Sequence, residues 1–208
     1  MSYLAVNMKR IINTKVKLRR PVLIILLFVA PETLLMADHS TLMIDDRSAT
    51  DSVASSGNSW RLITDDVMGG VSRGEITNEA VDGRQCLRMQ GKVKLDNNGG
   101  FIQTALDLSN NVIEKITDYT GLMLEVYGNN EPYNLHLRTK DNWLPWQAYR
   151  ATFDAPAKWT TLHLPFIEFR PYRTRKALNI DKIKRIGLVA IGREFDADLC
   201  IGKIALYQ

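Results

Sequence analysis

Two glycine corners carry the residues best suited to chemistry. Trp60 to Glu75 reads Trp-Arg-Leu-Ile-Thr-Asp-Asp-Val-Met-Gly-Gly-Val-Ser-Arg-Gly-Glu, and Leu95 to Phe101 reads Leu-Asp-Asn-Asn-Gly-Gly-Phe. Asp65 and Asp66 offer paired carboxylates, but on an extended strand neighbours face opposite ways. They therefore cannot form a facing acid and base for hydrolysis. Each can cap a turn or bind a hard cation, yet calcium wants six to eight oxygens and one Asp pair falls short. His39, His136 and His163 lack the spacing of a zinc site. Ser72 has no Gly-x-Ser-x-Gly context, and no Gly-x-Gly-x-x-Gly or Walker loop occurs. The pattern predicts no catalytic residue, no metal ligand and no cofactor, so a non-enzyme.

What remains is recognition. At both corners glycine supplies unusual backbone geometry beside Asp and Asn, which bond their own backbone in turns. Asp65, Asp66, Met68, Gly69 and Gly70 at the first corner, with Asn97, Asn98, Gly99 and Gly100 at the second, are candidate ligand contacts. The competing reading is that the corners lock the N-terminal crossover, with Asp66 accepting buried backbone N–H groups. Gly70 and Gly100 are expected to sit where a Cβ is rejected. A second candidate surface is the polar face of His136 and Arg138, shared by alternation with Glu125 and Arg150. Trp143 and Trp146 adjoin it, suited to stacking on a sugar ring or anchoring a protein. Alternation puts Cys86 with Arg88 and Gln90 but Cys200 with Ile204 and Leu206. Residues on opposite faces do not pair, so two free thiols are expected.

These residues must be positioned by strands. Gln85–Gln90, Leu122–Tyr127, Tyr133–Arg138 and Gln147–Phe153 alternate with period two. Ile183–Ile191 is almost continuously apolar, as in a strand covered on both faces. The helix candidates are Leu108–Ile116 and a turn at Phe166–Phe169. Seven to ten short strands with frequent turns predict an all-β fold, a jelly-roll β-sandwich.

The chain has 208 residues, 45% hydrophobic and 24% charged, a globular composition. Its net charge of +4 hints at nucleic acid, but six of the 27 basic residues lie in the first 37 against one acid, Glu32. The rest, with 21 basic and 22 acidic residues, is near neutral and has no electrostatic footprint for phosphate. Residues 1–37, a basic stretch followed by Pro21–Ala30, read as a signal peptide or an N-terminal membrane anchor, and as the only membrane contact. Their lack of acids before Glu32 also fits a mitochondrial leader. Residues 38–58 have the composition of a flexible linker, and 59–208 form the domain.

Asp65-Asp66-Val67-Met68-Gly69-Gly70-Val71-Ser72 and Leu95 to Phe101 resemble the two signature segments of the complex I intermediate-associated protein 30 family. Tyr119–Leu122, Tyr149–Phe153, Trp159, Leu164–Phe166, Phe169 and Ile186–Leu188 match its later segments. Asn129-Asn130 departs from the Gly-Asp-Gly type turn common there. The resemblance implies a galactose-binding-like jelly roll and an assembly factor or chaperone whose partner is a protein of a membrane complex. The rival reading is a carbohydrate-binding module with a glycan ligand. The leader implies a periplasmic, extracellular or membrane-anchored location, with a mitochondrial one as the alternative.

Overall fold

Twelve strands pair into two antiparallel sheets in the computed structural model, which describes residues 40–49 and 51–208. The leader at 1–37 and His39 lie outside the described residues. In chain order the strands are β1 (Thr41–Asp45), β2 (Arg61–Thr64), β3 (Arg73–Val81), β4 (Arg84–Val93), β5 (Phe101–Asp107) and β6 (Gly121–Tyr127). Then follow β7 (Glu131–Thr139), β8 (Ala148–Ala155), β9 (Thr160–Pro165), β10 (Arg170–Tyr172), β11 (Ile183–Ile191) and β12 (Phe195–Tyr207). One sheet runs β3-β4-β12-β6-β9 with β1 added along β12, and the other runs β10-β8-β7-β11-β5-β2. The sheets are stacked as a jelly-roll sandwich.

The inner faces are those the alternation marks. Leu122, Leu124 and Val126 of β6 meet Leu199, Ile201, Ile204 and Leu206 of β12 in one layer. Tyr133, Leu135 and Leu137 of β7, Ile186 and Leu188 of β11, and Ile102 and Leu106 of β5 form the facing layer. Each such side chain taken out of water contributes about 1.5–3 kcal/mol. Truncating one at the centre, such as Leu135→Ala, costs about 2–5 kcal/mol with its cavity. Among the described residues, helix is confined to one turn, α1 (Asn110–Ile113), and to short 3₁₀ turns that include Phe166–Glu168. Both fall inside the two stretches expected to turn.

Four expectations need correction. The stretch expected to be a linker at 38–58 contains β1, which pairs with β12 through Thr41↔Tyr207 and Leu42↔Leu206. Its polar residues are consumed by one another. The buried Asp45 carboxylate accepts from Arg47 Nη1 at 2.7 Å and from Trp60 Nε1 at 2.7 Å. Arg47 also reaches the Asn78 side chain on β3. A buried charge paired this way is ordered, whatever its composition suggests.

The cysteines are also not free: Cys86 and Cys200 form a disulfide with Cα atoms 5.5 Å apart. Simple alternation fails in β12 because the pairing with β6 shifts between Ile201 and Ile204. Such an irregularity reverses the parity of the strand, so Ile201 and Ile204 both face the core and Cys200 turns outward with Cys86. Glu125 lies in the first sheet and does not share the face of His136 and Arg138, because β6 and β7 belong to different sheets. The strand count exceeds the expected seven to ten because β1, β2 and β10 are only three to five residues long.

Candidate functional site: a braced cleft on the second sheet

Asp65 opens a 3₁₀ turn, Asp65–Met68, that closes on Gly69 in the left-handed region at φ 86°. The turn folds the Asp65 side chain inward, where it is fully buried. Its carboxylate accepts from Ser72 N–H at 2.9 Å, from the Ser72 hydroxyl, and from the backbone N–H groups of Gly100 and Phe101, the last at 3.3 Å. Burial alone would raise its pKa. The bonds from Gly100 and Ser72, with a smaller one from Phe101, outweigh it and hold the group below its ordinary value. A Cβ on Gly70 would overlap this carboxylate, and one on Gly99 would come within 2.5 Å of it. Gly100 sits at φ 123°, where a Cβ would also meet Leu95 at 2.8 Å. The expectation for Gly70 and Gly100 therefore holds, for reasons specific to each.

The two corners thus meet, and Asp65 joins them. It is Asp65, not the expected Asp66, that accepts the buried N–H groups. The Asp66 side chain is exposed and, among the described residues, its carboxylate accepts from the Thr64 hydroxyl, at 2.5 Å.

The joined corners form one wall of a cleft of about 470 Å³ over the outer face of the second sheet. Met68, Val67, Gly99 and Gly100 line that wall. The register sets the floor: His136 of β7 lies opposite Gly187 of β11, and Arg138 opposite Arg185. Gly187 keeps the floor low, since a Cβ there would lie 2.5 Å from the Gln103 amide of β5. Tyr172 on β10 and the loop residues Pro145, Trp146 and Gln147 build the far wall.

His136 is only 7% exposed although it points away from the core. Arg150 Nε donates to its Nε2 at 3.3 Å, and the Tyr172 ring lies 5.6 Å away, centre to centre. The Arg150 guanidinium stacks 3.7 Å over Tyr172. Burial, then the Arg150 cation, depresses the His136 pKa from 6.5 to about 3, so the imidazole is neutral. A neutral, covered imidazole accepting from Arg150 orients its neighbours and has no proton to move at neutral pH.

Arg185 is held by Asp107 through Nε at 2.5 Å and Nη2 at 3.2 Å, and Arg61 joins the same carboxylate at 2.6 Å. Arg138 has no such carboxylate. Its Nη2 donates to Leu144 O at 3.1 Å, and its buried Nε has no hydrogen-bond partner among the described residues. Its pKa is lowered by burial first and by the Arg185 cation second.

Of the candidate residues, Met68, Gly99, Gly100, His136, Arg138 and Trp146 line one cleft. Asp65 and Gly70 brace it from behind. Asp66, Gly69 and Asn97 are exposed and do not line it. Trp143 is 86% exposed and does not line the cleft, and Gln147 Oε1 accepts from the Trp143 and Leu144 N–H groups in the same loop. Gln103, Tyr172 and Arg185 belong to the cleft and were missed. Arg185 had a detectable signal, a cation inside the apolar run Ile183–Ile191. Tyr172 sits on a three-residue strand with none. No group of three His, Cys, Asp or Glu side chains able to hold a metal occurs among the described residues.

This sandwich is shared with solved carbohydrate-binding modules. The family 11 module of the cellulosomal cellulase Lic26A-Cel5E of Clostridium thermocellum superposes with a TM-score of 0.64 at 12% identity, over 80% of this chain and 94% of that one. A family 11 module from Clostridium thermocellum in complex with a β-1,3-1,4-mixed-linked tetrasaccharide gives 0.61 at 12% identity, over the same shares. A family 30 module of the cellulase Cel9D-Cel44B of Clostridium thermocellum gives 0.51 at 12% identity, over 80% and 96%. At such identity the likeness establishes the fold alone. Curated protein sequences offer no match. Residues 49–201, which include both corners and every strand of the cleft floor, match the family described as Complex I intermediate-associated protein 30 (CIA30), and the chain belongs to that family.

Proposed function

We propose that this protein is a non-catalytic binding module that holds a segment of a protein partner from a respiratory-type membrane complex, acting as an assembly factor or chaperone. The cleft carries the reading. It combines a rigid hydrogen-bonded floor, a wall fixed by Asp65, and a half-exposed Trp146 at its rim, a large rigid anchor of the kind that dominates protein interfaces. The pKa of its one imidazole is depressed to about 3, and among the described residues no Ser, Thr or Cys lines the cleft beside it. Membership of the family supports a protein partner over other ligands. The test is co-purification of the full chain from detergent-solubilised membranes. Trp146→Ala should keep the melting temperature and lose the partner, and full retention of the partner refutes the reading.

A second reading has its own support. The related fold is that of a module solved with a mixed-linked tetrasaccharide, and this cleft pairs Trp146 and Tyr172 with polar side chains. On that reading the cleft takes a glycan. Binding to isolated sugars on a glycan array, with no protein partner, would replace the first reading.

We further propose that the domain acts on the non-cytoplasmic side, exported or anchored. The basic leader with its short apolar core supports this, and so does the Cys86–Cys200 disulfide, which suits an oxidising compartment. A reporter fused after Gln208 and active only in the cytoplasm would overturn it.

A further inference from the structure

We propose that the cleft selects an acidic peptide segment, with a carboxylate of the partner seated on Arg138 and apolar side chains packed against the Met68 and Trp146 walls. This rests on the reading of the domain as a protein-binding module and names the chemistry it recognises.

Three observations converge on an anion. First, none of the residues lining the cleft is Asp or Glu, while Arg138, Arg173 and Arg185 all line it. Second, the cations are under-neutralised. Arg61 and Arg185 share the single carboxylate of Asp107, and Arg138, opposite Arg185 in the register, makes no ion pair among the described residues and feels Asp107 only at longer range. Like cations brought together on a half-buried surface repel, and an incoming carboxylate relieves that repulsion. Third, Arg138 lines the cleft with no ion-pair partner among the described residues: Nη2 donates to the neutral Leu144 carbonyl and the covered Nε has no acceptor. A carboxylate is the acceptor that fits guanidinium geometry, and Arg138 has none of its own.

The rest of the lining favours peptide over sugar. Ile63, Val67, Met68, Phe101 and Ile191 present an apolar flank. A neutral glycan brings a hydroxyl donor at nearly every carbon and needs acceptors in return. Here the His136 Nε2 is already taken by Arg150, and Gln147 Oε1 by two backbone N–H groups. A hydroxyl can accept from Arg138, Arg173 and Arg185, but a carboxylate meets them with opposite charge and matching planar geometry, beside apolar side chains.

The experiment uses the full chain in detergent and an array of synthetic peptides in matched pairs, each pair carrying Glu or Gln at one position between apolar residues. Binding to the Glu member should exceed binding to the Gln member by about tenfold and weaken with added salt. Arg138→Gln should abolish the preference without shifting the melting temperature. Lys203→Gln, an equal charge change on an exposed residue of the first sheet, should leave it intact. Equal binding of Glu and Gln members, or a preference that survives Arg138→Gln, overturns the proposal. So does binding of a neutral or uronate oligosaccharide in place of every peptide. The broader reading fails separately: if Trp146→Ala still co-purifies with the membrane partner, the cleft is not the interface. If Trp146→Ala loses the partner while Glu and Gln peptides bind alike, only the acidic preference is wrong.

Discussion

Removing the Asp65 carboxylate tests the brace between the corners. Asp65→Ala deletes an acceptor that serves the Ser72 N–H and hydroxyl and the Gly100 and Phe101 N–H groups. Hydrogen bonds to a charged group contribute about 1.5–3 kcal/mol, and each buried donor left unpaired costs about 1–3 kcal/mol. Ser72 and Gly100 are themselves buried, so water cannot replace the lost oxygens without the corner opening. These penalties overlap, and a total of about 3–5 kcal/mol is expected, in the upper range for a point substitution. In a domain of this size that is on the order of 10 °C in Tm. Urea denaturation reads it as a lower midpoint at unchanged slope. Asp66→Ala, which removes an exposed side chain, should stay within about 0.5 kcal/mol of wild type. Acidity supplies a second readout. The Asp65 pKa is lowered in the fold, so its stabilisation is complete above the ordinary value of 3.8 and fades as pH falls through the lowered one. Asp65→Asn should remove that part of the acid limb. If Asp65→Ala and Asp66→Ala melt alike, the corners are not held by this carboxylate and the reasoning fails.

Gly70→Ala should cost more than about 1 kcal/mol, because its Cβ would overlap Asp65, and Gly100→Ala likewise through its φ of 123° and the contact with Leu95. Neutral melting shifts for both would mark them as ordinary turn residues. Between pH 6.5 and about 3 the unfolded chain protonates His136 while the fold refuses the proton. Stability should therefore fall on acidification by up to about 1.4 kcal/mol per unit, and His136→Gln should flatten that slope above pH 4.5, read by denaturation across pH. Cys86 and Cys200 are 114 residues apart, so replacing both with Ser should cost up to about 5 kcal/mol in the chain-entropy picture. An unchanged urea midpoint would show that the crosslink constrains little.

Much of the frame is readable from composition and period alone. Alternation in Leu122–Tyr127 and Tyr133–Arg138 told which side chains would be covered, because a strand's two faces differ only in what lies over them. The glycine pairs and their acids marked both corners as special, and Met68, Gly99 and Gly100 of the candidates so marked line the cleft. Tertiary structure decided the rest. Asp65 and Asp66 have the same chemistry and adjacent places, and donors from Ser72 and from a segment 35 residues away made one a buried brace and left the other in water. Residues 38–58 read as a flexible linker by composition, but Asp45 within them accepts from Arg47 and from Trp60 and is satisfied there. Cys200 could not be assigned to a face because an irregularity in β12 reverses its parity, and such a feature is defined by two partner strands rather than by one. The cleft floor has the same origin. Gln103, His136, Arg138 and Arg185 come from three strands whose spatial order differs from their order in the chain, so only the register between strands could bring them to one surface.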